Sequence, residues 1–220
     1  MLRILYGTAG TGKSAAIMDE IRRGADSGER YILLVPEQYS HEAERELAQR
    51  CGDTASLYAE VLSFSRLAHR VAIGCGGSAR VYIDKPGRFL QLSLALEQVG
   101  GALSVYGGSA RSPERMVQLL SALDELRFGC AAPDALRKAA ESATPSLAGK
   151  LRDLALLQEA LDALSAQSGA DPAGRLDVLA EQLPGCAWLR SAKFYIDGFT
   201  DFTAQERRVI RALLPLADVT

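Results

Sequence analysis

The chain has 220 residues, of which 48% are hydrophobic and 24% are charged, an ordinary composition for a soluble globular protein. This length allows one large domain or two small ones, with an ample buried core. The formal net charge of −2 excludes a positive field over the whole protein, which is a compositional sign of many nucleic-acid-binding proteins. A local stripe of basic residues is still compatible with this net charge.

Cysteine and histidine usage limits the redox and metal chemistry. The cysteines at positions 51, 75, 130 and 186 form no C-x-x-C pair, which predicts reduced, mostly buried thiols in a cytoplasmic protein. The chain has only two histidines, which argues against a histidine-based metal site. No apolar run has the length of a membrane span and no signal peptide precedes the first predicted strand, so we expect no membrane association.

The first predicted elements are a strand, a glycine loop and a helix. The apolar run Leu2–Tyr6 predicts a buried parallel strand, and Ile17 and Ile21 share one face of a helix that runs to Arg23. The loop between them fits the phosphate-loop pattern G-x-x-x-x-G-K-[ST]. Its residues are Gly7, Thr8, Ala9, Gly10, Thr11, Gly12, Lys13 and Ser14.

This loop predicts a nucleotide-binding site. Its glycines let several backbone N–H groups fold around a phosphate, and the helix N-terminus adds a partial positive charge. Lys13 should contact the β- and γ-phosphates of ATP, and the Ser14 hydroxyl should ligate Mg²⁺. The alternative is a glycine turn that matches the pattern by accident.

Two further buried strands are predicted at Tyr31–Val35 and Val61–Phe64. A helical segment precedes each of them, and this spacing indicates βαβ units with right-handed crossovers. The predicted fold is therefore α/β, of the P-loop NTPase (RecA-like) class, with a parallel sheet and helices on both faces.

From Lys85 onward the pattern becomes helical. Apolar residues recur at spacings of three and four, as on one helix face, and Ser112-Pro113 is a helix-start signal. We expect an all-helical subdomain over 85–190, inserted between a first part of the sheet domain at 1–84 and its return at 191–220.

Strand character returns at Lys193–Asp197, which ends in a carboxylate at the edge where ligands of open α/β sheets bind. We expect Asp197 to lie beside Lys13 and Ser14 on a neighbouring strand and to complete the Mg²⁺ site. The alternative is a strand-end aspartate that caps a turn before Gly198.

The last segment predicts one more helix and strand. Thr203 and Glu206 have the spacing of a capping box at a helix start. Leu216–Thr220 resembles the opening of another strand, so we expect the chain to be part of a longer polypeptide.

Hydrolysis of ATP requires more than a metal ion. A residue must orient or deprotonate the attacking water, and a cation must neutralise charge on the γ-phosphate. Gly198 follows Asp197 where a helicase-type site has glutamate, and the sequence identifies neither a catalytic residue nor an arginine finger. The sequence therefore supports nucleotide binding more strongly than turnover.

Several segments carry a resemblance to a known family. They are the phosphate loop, Val35–Gln38, Glu42–Glu46, Val61–Leu67, Ser121–Leu126 and Tyr195–Phe202. Together they resemble the N-terminal region of the AddB subunit of AddAB-type helicase–nucleases. These are superfamily 1 helicase-like, bacterial ATP-dependent exonucleases that process double-strand DNA breaks for recombination. The resemblance covers essentially the whole chain.

The resemblance implies ATP at the phosphate loop, Mg²⁺ at Ser14 and Asp197, and DNA contacts in the segment after the third strand. The residues that match this segment are Ser63, Phe64, Ser65 and Arg66. An aromatic ring there is suited to stack on a base and an arginine to meet phosphate. The alternative places Phe64 in the core and leaves Arg66 as a solvated helix residue.

The resemblance also implies a partner subunit and further domains that lie outside these 220 residues. The family's subunit is a helicase-shaped scaffold that scans DNA in a heterodimer with an AddA-like motor and nuclease subunit. Gly198 and Thr200 replace residues of a motor helicase, so we expect weak or no ATPase, and no helicase or nuclease activity, from this chain alone. The second motor-like half and the iron–sulfur nuclease domain do not fit within 220 residues, so no iron–sulfur cluster is expected here.

Two other function classes stay open. A small-molecule kinase has a similar early phosphate loop and a helical lid, although no arginine-rich lid is evident here. A non-catalytic interaction module with a vestigial loop would bind no nucleotide. Phosphate transfer to small acceptors would identify the first, and absence of ATP binding would identify the second.

Overall fold

The structure, a computed structural model, describes residues 1–75, 81–107 and 112–220. The chain divides into two compact units, one of Met1–Ala79 with Arg175–Thr220 and one of Arg80–Gly174. The second unit therefore ends earlier than the helical segment expected over 85–190. The reason is that the helix Arg175–Gln182 buries Leu179 and Ala180 in the core of the first unit.

A four-stranded sheet, parallel throughout, forms the centre of the first unit. Its strands are β1 (Arg30–Leu34), β2 (Ala59–Leu62), β3 (Ala192–Ile196) and β4 (Asp218–Val219). Their spatial order is β2-β1-β3-β4. Four of the five apolar segments predicted as strands fall on these strands.

Helices cover both faces of this sheet. They are α1 (Lys13–Arg23), α2 (Ser40–Cys51), α3 (Phe64–Gly74), α8 (Arg175–Gln182) and α9 (Ala204–Leu213). Successive side chains of β1 alternate between the two faces. Tyr31 and Leu33 share a core with residues of α1 and α2, whereas Ile32 and Leu34 share a core with residues of α3, α8 and α9. The predicted α/β architecture is confirmed, and its assignment to the P-loop NTPase class stays a prediction.

The predicted first strand is the main departure within the sheet. Leu2 forms a single parallel bridge with Val219 at the outer side of β4, and Ile4 and Tyr6 are 73% and 93% exposed. The expectation of a buried strand over residues 2–6 is therefore wrong. An apolar run becomes buried only where other segments cover it, and the described part of the chain leaves this run largely uncovered.

The second unit is built from helices. They are α4 (Lys85–Val99), α5 (Pro113–Phe128), α6 (Pro133–Glu141) and α7 (Pro145–Ser168). Ser112 caps α5 and Pro113 is its first residue, as the sequence predicts. The leucines of the periodic stripes, such as Leu92, Leu123 and Leu157, form the core of the unit. Within the described ranges, no helix is long and apolar enough to cross a membrane.

The cysteines depart from expectation. Cys75 and Cys186 form a disulfide with their Cα atoms 5.4 Å apart, whereas Cys51 is half-buried and Cys130 is exposed. The expectation of four reduced, mostly buried thiols is wrong for the bonded pair. The two bonded cysteines are 111 positions apart in the chain, and short-range cysteine spacing contains no information on such a pair.

Candidate functional site

The phosphate-loop motif forms a turn that leads directly into α1. Gly10 and Gly12 have φ angles of 79° and 84°, in the left-handed region that glycine adopts without strain. A Cβ at Gly7 would come within 2.8 Å of Thr11 Oγ1. The positive φ angles therefore favour glycine at positions 10 and 12, whereas a side chain at position 7 would require Thr11 to move, and α1 begins immediately after the loop at Lys13.

The Lys13 ammonium lies against this loop. Its Nζ donates hydrogen bonds to the carbonyl oxygens of Gly7 at 2.9 Å and Thr8 at 2.8 Å. Thr11 Oγ1 also donates to the Thr8 carbonyl, at 2.9 Å. No side chain caps the N-terminus of α1, and its first turn carries no acidic residue. The positive end of the helix and the Lys13 charge therefore reinforce each other, as at an anion-binding helix N-terminus.

Asp197 lies at the carboxyl end of β3. Its backbone N–H donates to the Leu34 carbonyl at 3.0 Å, which extends the pairing of β3 with β1. Its Oδ1 accepts the N–H of Gly198 at 2.9 Å, and Gly198 has a φ of 79°. The carboxylate therefore caps a tight turn, whether or not it also binds a metal.

The expectation that Asp197 and the phosphate loop follow neighbouring strands is wrong, because β4 lies between them. Val219 of β4 pairs with Phe194 of β3 on one side and bridges to Leu2 on the other. Asp197 and the loop thus leave the sheet at the same carboxyl edge, two strand spacings apart, or about 10 Å between backbones. The sequence predicts the strand at Leu216–Thr220 but not its place in the strand order.

A cleft of about 400 Å³ opens at the carboxyl ends of β1, β2 and β3. Its walls come mainly from Val35–Tyr39, Ser63–Ser65 and Gly198–Asp201. The carboxyl edge is where open α/β sheets bind ligands. The structure thus brings together parts of three of the segments that carry the family resemblance.

Ser63 and Phe64 have structural roles at this cleft. Ser63 is 2% exposed, and its Oγ caps α3 by accepting the N–H of Arg66 at 3.2 Å. Phe64 is 5% exposed and packs edge-on against Phe199, with ring centroids 5.6 Å apart. Both residues line the cleft, but Phe64 presents little free surface for stacking.

Ser65 and Arg66 are the more accessible members of the same segment. Ser65 is half-buried and lines the cleft. Arg66 is exposed, and its guanidinium pairs with the carboxylate of Glu44 on α2. An exposed ion pair of this kind is weak and is further weakened by salt. The pairing therefore reduces the positive charge that Arg66 presents without removing its access to an anion.

Comparison with known proteins places the chain in a family. The family model described as "ADDB, N-terminal" matches residues 4–220. The chain belongs to this family. Curated relatives, each named as the B subunit of an ATP-dependent helicase/deoxyribonuclease, include that of Desulforamulus reducens, 39% identical over 224 residues, and that of Heliobacterium modesticaldum, 38% identical over 221 residues.

These alignments cover 99% and 97% of this chain but 19% and 18% of the two relatives. The chain thus spans about a fifth of the length of the curated relatives it matches. The resemblance seen in the sequence is confirmed by these matches, and it favours the helicase–nuclease interpretation over the small-molecule kinase.

In this member of the ADDB N-terminal family, the cleft has two accessible aromatic residues that the sequence did not single out as ligand contacts. Tyr39 is 49% exposed, and Phe199 is half-buried with its ring 4.9 Å from that of Phe202, centroid to centroid. Both lie a few residues beyond a strand end. Their position after a strand could have identified them as candidate ligand contacts, because residues that follow parallel strands line the carboxyl edge, where ligands bind.

The charged residues of the cleft are acidic. Among the described residues that line it, the charged ones are Glu37, Asp201 and Glu206. Glu206 accepts the N–H of Thr203 at 2.7 Å as part of the predicted capping box, which is confirmed. Because these carboxylates repel anions, the cleft suits a neutral planar group better than a phosphate.

Proposed function

We propose that this chain is the ATP-binding, helicase-like N-terminal domain of one subunit of a helicase–nuclease that processes DNA double-strand breaks. The observation that carries ATP binding is the Lys13 ammonium, which lies against a glycine loop at a helix N-terminus with no side-chain cap. The names of the relatives support the wider role, since they describe one subunit of an ATP-dependent helicase/deoxyribonuclease.

Residues Gly7–Ser14 would hold the triphosphate, and Ser14 and Asp197 would hold Mg²⁺. No group of three or more His, Cys, Asp or Glu side chains assembles a metal site among the described residues. Magnesium does not need one, since it usually keeps several waters and binds one or two protein ligands plus substrate phosphates. The exposed Ser14 hydroxyl and the strand-end carboxylate of Asp197 fit that donor set. When bound, the ion would neutralise charge on the β- and γ-phosphates.

We expect the isolated chain to bind Mg–ATP without measurable turnover. The residue after Asp197 is Gly198, whose φ of 79° would strain any residue with a side chain. The position therefore serves a turn and supplies no base. Phosphate release, measured with and without single-stranded DNA, should match a protein-free control. Robust turnover without a partner would contradict the scaffold role.

The cleft at the carboxyl edge is proposed to contact single-stranded DNA. Bases would stack on Tyr39 and Phe199, since base–aromatic stacking tolerates any sequence. The acidic lining would keep the phosphates outside the cleft, where Arg66 is exposed. The subunit would then scan DNA while an AddA-like partner in the heterodimer supplies translocation and nuclease activity.

Removing the Arg66 side chain and removing its ion-pair partner Glu44 should change DNA affinity in opposite directions. Arg66→Ala removes a phosphate contact and should weaken DNA binding about threefold at low salt. The slope of the logarithm of affinity against the logarithm of salt concentration should become shallower by about one. Glu44→Gln removes the competing carboxylate and should tighten binding by a similar factor. Fluorescence anisotropy with a labelled oligonucleotide, titrated at several salt concentrations, measures both.

The pair Arg50 and Glu46 provides the matched control for this experiment. Both residues lie on α2, and their side chains form an ion pair at 2.9 Å with exposure similar to that of Arg66 and Glu44. Neither residue is among those that line the cleft. Arg50→Ala and Glu46→Gln should therefore leave affinity nearly unchanged. If the variants of both pairs changed DNA affinity equally, the change would follow from net charge alone and not from a contact between Arg66 and DNA.

A further inference from the structure

Cys75 and Cys186 join the two chain segments that build the first unit. Cys75 directly follows the last residue of α3, and Cys186 lies between α8 and β3. Their Cα atoms are 5.4 Å apart, within the usual range for a disulfide. The two cysteines are 111 positions apart, and the whole second unit, Arg80–Gly174, lies between them in sequence. The disulfide therefore closes the chain around the inserted helical unit.

Contacts other than the disulfide also hold the two cysteines together. The Cys75 N–H donates a hydrogen bond to the Val71 carbonyl at 2.9 Å, and Cys186 Sγ lies 4.0 Å from the same oxygen. The Arg70 guanidinium of α3 lies over the ring of Trp188, 5.1 Å from the ring centroid. Since these contacts do not need the disulfide, they should keep the two thiols within reach of each other in the reduced chain.

The two cysteines differ in their access to solvent. Cys75 is exposed, whereas Cys186 is 2% exposed and belongs to the hydrophobic core of the first unit. Thiol–disulfide exchange requires access to the attacked or attacking sulfur, and exposed disulfides are the labile ones. Cys75 is therefore the residue that a dissolved oxidant or reductant reaches, and Cys186 is placed to react with Cys75 alone.

We infer that Cys75 and Cys186 form a reversible redox site, which a low-molecular-weight disulfide oxidises and a low-molecular-weight thiol reduces. The Cys75 thiolate first attacks the small disulfide, whose S–S bond breaks as a mixed disulfide with Cys75 forms and one small thiol leaves with a proton. Cys186 then loses its proton and attacks Cys75 Sγ, which releases the second small thiol with that proton. In total, two protein thiols lose two electrons and one small disulfide is reduced to two thiols.

Oxidation should stabilise the first unit, because it joins covalently the segments Met1–Ala79 and Arg175–Thr220, which the reduced chain holds together by packing. A disulfide that closes a long loop strongly restricts the unfolded chain. The melting temperature of the oxidised chain should therefore exceed that of the reduced chain by roughly 5–10 °C. Cys75→Ser, a substitution at an exposed position, should abolish this difference.

A redox titration with trapping of thiols tests the site directly. The 220-residue chain is equilibrated with reduced and oxidised glutathione at several ratios and alkylated, and mass spectrometry measures the fraction with the Cys75–Cys186 bond. This fraction should rise with oxidised glutathione and fall again on return to reduced glutathione. Cys186→Ala should accumulate glutathione on Cys75, whereas Cys75→Ser should leave Cys186 unmodified. Cys130→Ser, at another exposed cysteine, should leave the titration unchanged.

Several results would overturn the inference. Alkylation of both thiols at every glutathione ratio would show that the pair is not oxidised, and a bond that resists reduced glutathione in the folded chain would be a permanent structural link. Glutathione on Cys186 in the Cys75→Ser variant would contradict the order of the two steps. Equal melting temperatures of the oxidised and reduced chains would show that the bond does not stabilise the first unit. None of these readouts depends on ATP or DNA binding.

Discussion

Replacing Lys13 with alanine is expected to weaken Mg–ATP binding by about ten- to a hundredfold. The ammonium would make charge-assisted hydrogen bonds to phosphate oxygens, and each such bond is worth roughly 1.5–3 kcal/mol. Titration of a fluorescent ATP analogue in the presence of Mg²⁺, with competition by unlabelled ATP, measures the difference. The loss should also appear with ADP, because the β-phosphate is one of the expected contacts.

A second basic residue of the same helix provides the control. Arg22 is exposed in the last turn of α1, at the opposite end from Lys13, so Arg22→Ala changes charge equally and should leave affinity within about twofold. Melting temperatures of both variants show whether loss of the hydrogen bonds from Lys13 to the loop carbonyls unfolds the protein. Wild-type chain that binds no ATP would support the vestigial-loop interpretation. Binding that survives Lys13→Ala would place the nucleotide elsewhere.

Local sequence signals predicted most of the elements that surround this site. Buried strands such as β1 were visible because both of their faces are apolar, and the signal is contained in a few consecutive residues. The caps at Ser112 and Thr203 could also be predicted, because a capping side chain hydrogen-bonds within the first turn of its own helix and the signal is again local. The glycine loop was recognisable because positive φ angles at Gly10 and Gly12 restrict the residue type.

What the sequence did not predict depends on contacts between distant segments. Leu2–Tyr6 has a buried-strand pattern, but burial requires distant segments to cover it, and Leu2, Ile4 and Tyr6 are exposed. The position of β4 between Asp197 and the phosphate loop is a matter of strand order, and strand order has no local signal. The ion pair of Arg66 with Glu44 and the packing of Phe64 on Phe199 likewise join separate elements. These contacts turn two predicted ligand residues into partly structural ones.

Asp153 on α7 is a buried carboxylate that organises a neighbouring loop in the helical unit. It is 1% exposed, and it accepts hydrogen bonds from Ser104 N–H at 2.9 Å, Ser104 Oγ at 3.1 Å, Val105 N–H at 2.7 Å and Tyr106 N–H at 3.0 Å. Burial alone would raise the pKa of Asp153, but these four hydrogen bonds outweigh it and hold the pKa below its usual range. The charged form is therefore the one that the fold stabilises.

Asp153→Asn should accordingly lower the free energy of unfolding of the helical unit by roughly 2–4 kcal/mol at neutral pH. The amide presents one acceptor oxygen and an NH₂ group that opposes the backbone donors, so buried N–H groups lose their partners. Asp162→Asn is the matched control, since Asp162 lies on the same helix, is 51% exposed and pairs with Arg127, and the substitution should change stability by less than about 1 kcal/mol. Urea denaturation followed by circular dichroism measures both variants.

The stability difference between the wild type and Asp153→Asn should also depend on pH in a defined direction. A carboxyl group with a lowered folded-state pKa contributes stability that is fully present above its unfolded pKa of about 4. That contribution is lost as the pH falls through the folded-state value. The difference should therefore be constant from about pH 7 to pH 5 and shrink below about pH 4. A difference that grows as the pH falls would mean that the protonated acid is the form that holds the Ser104–Tyr106 loop.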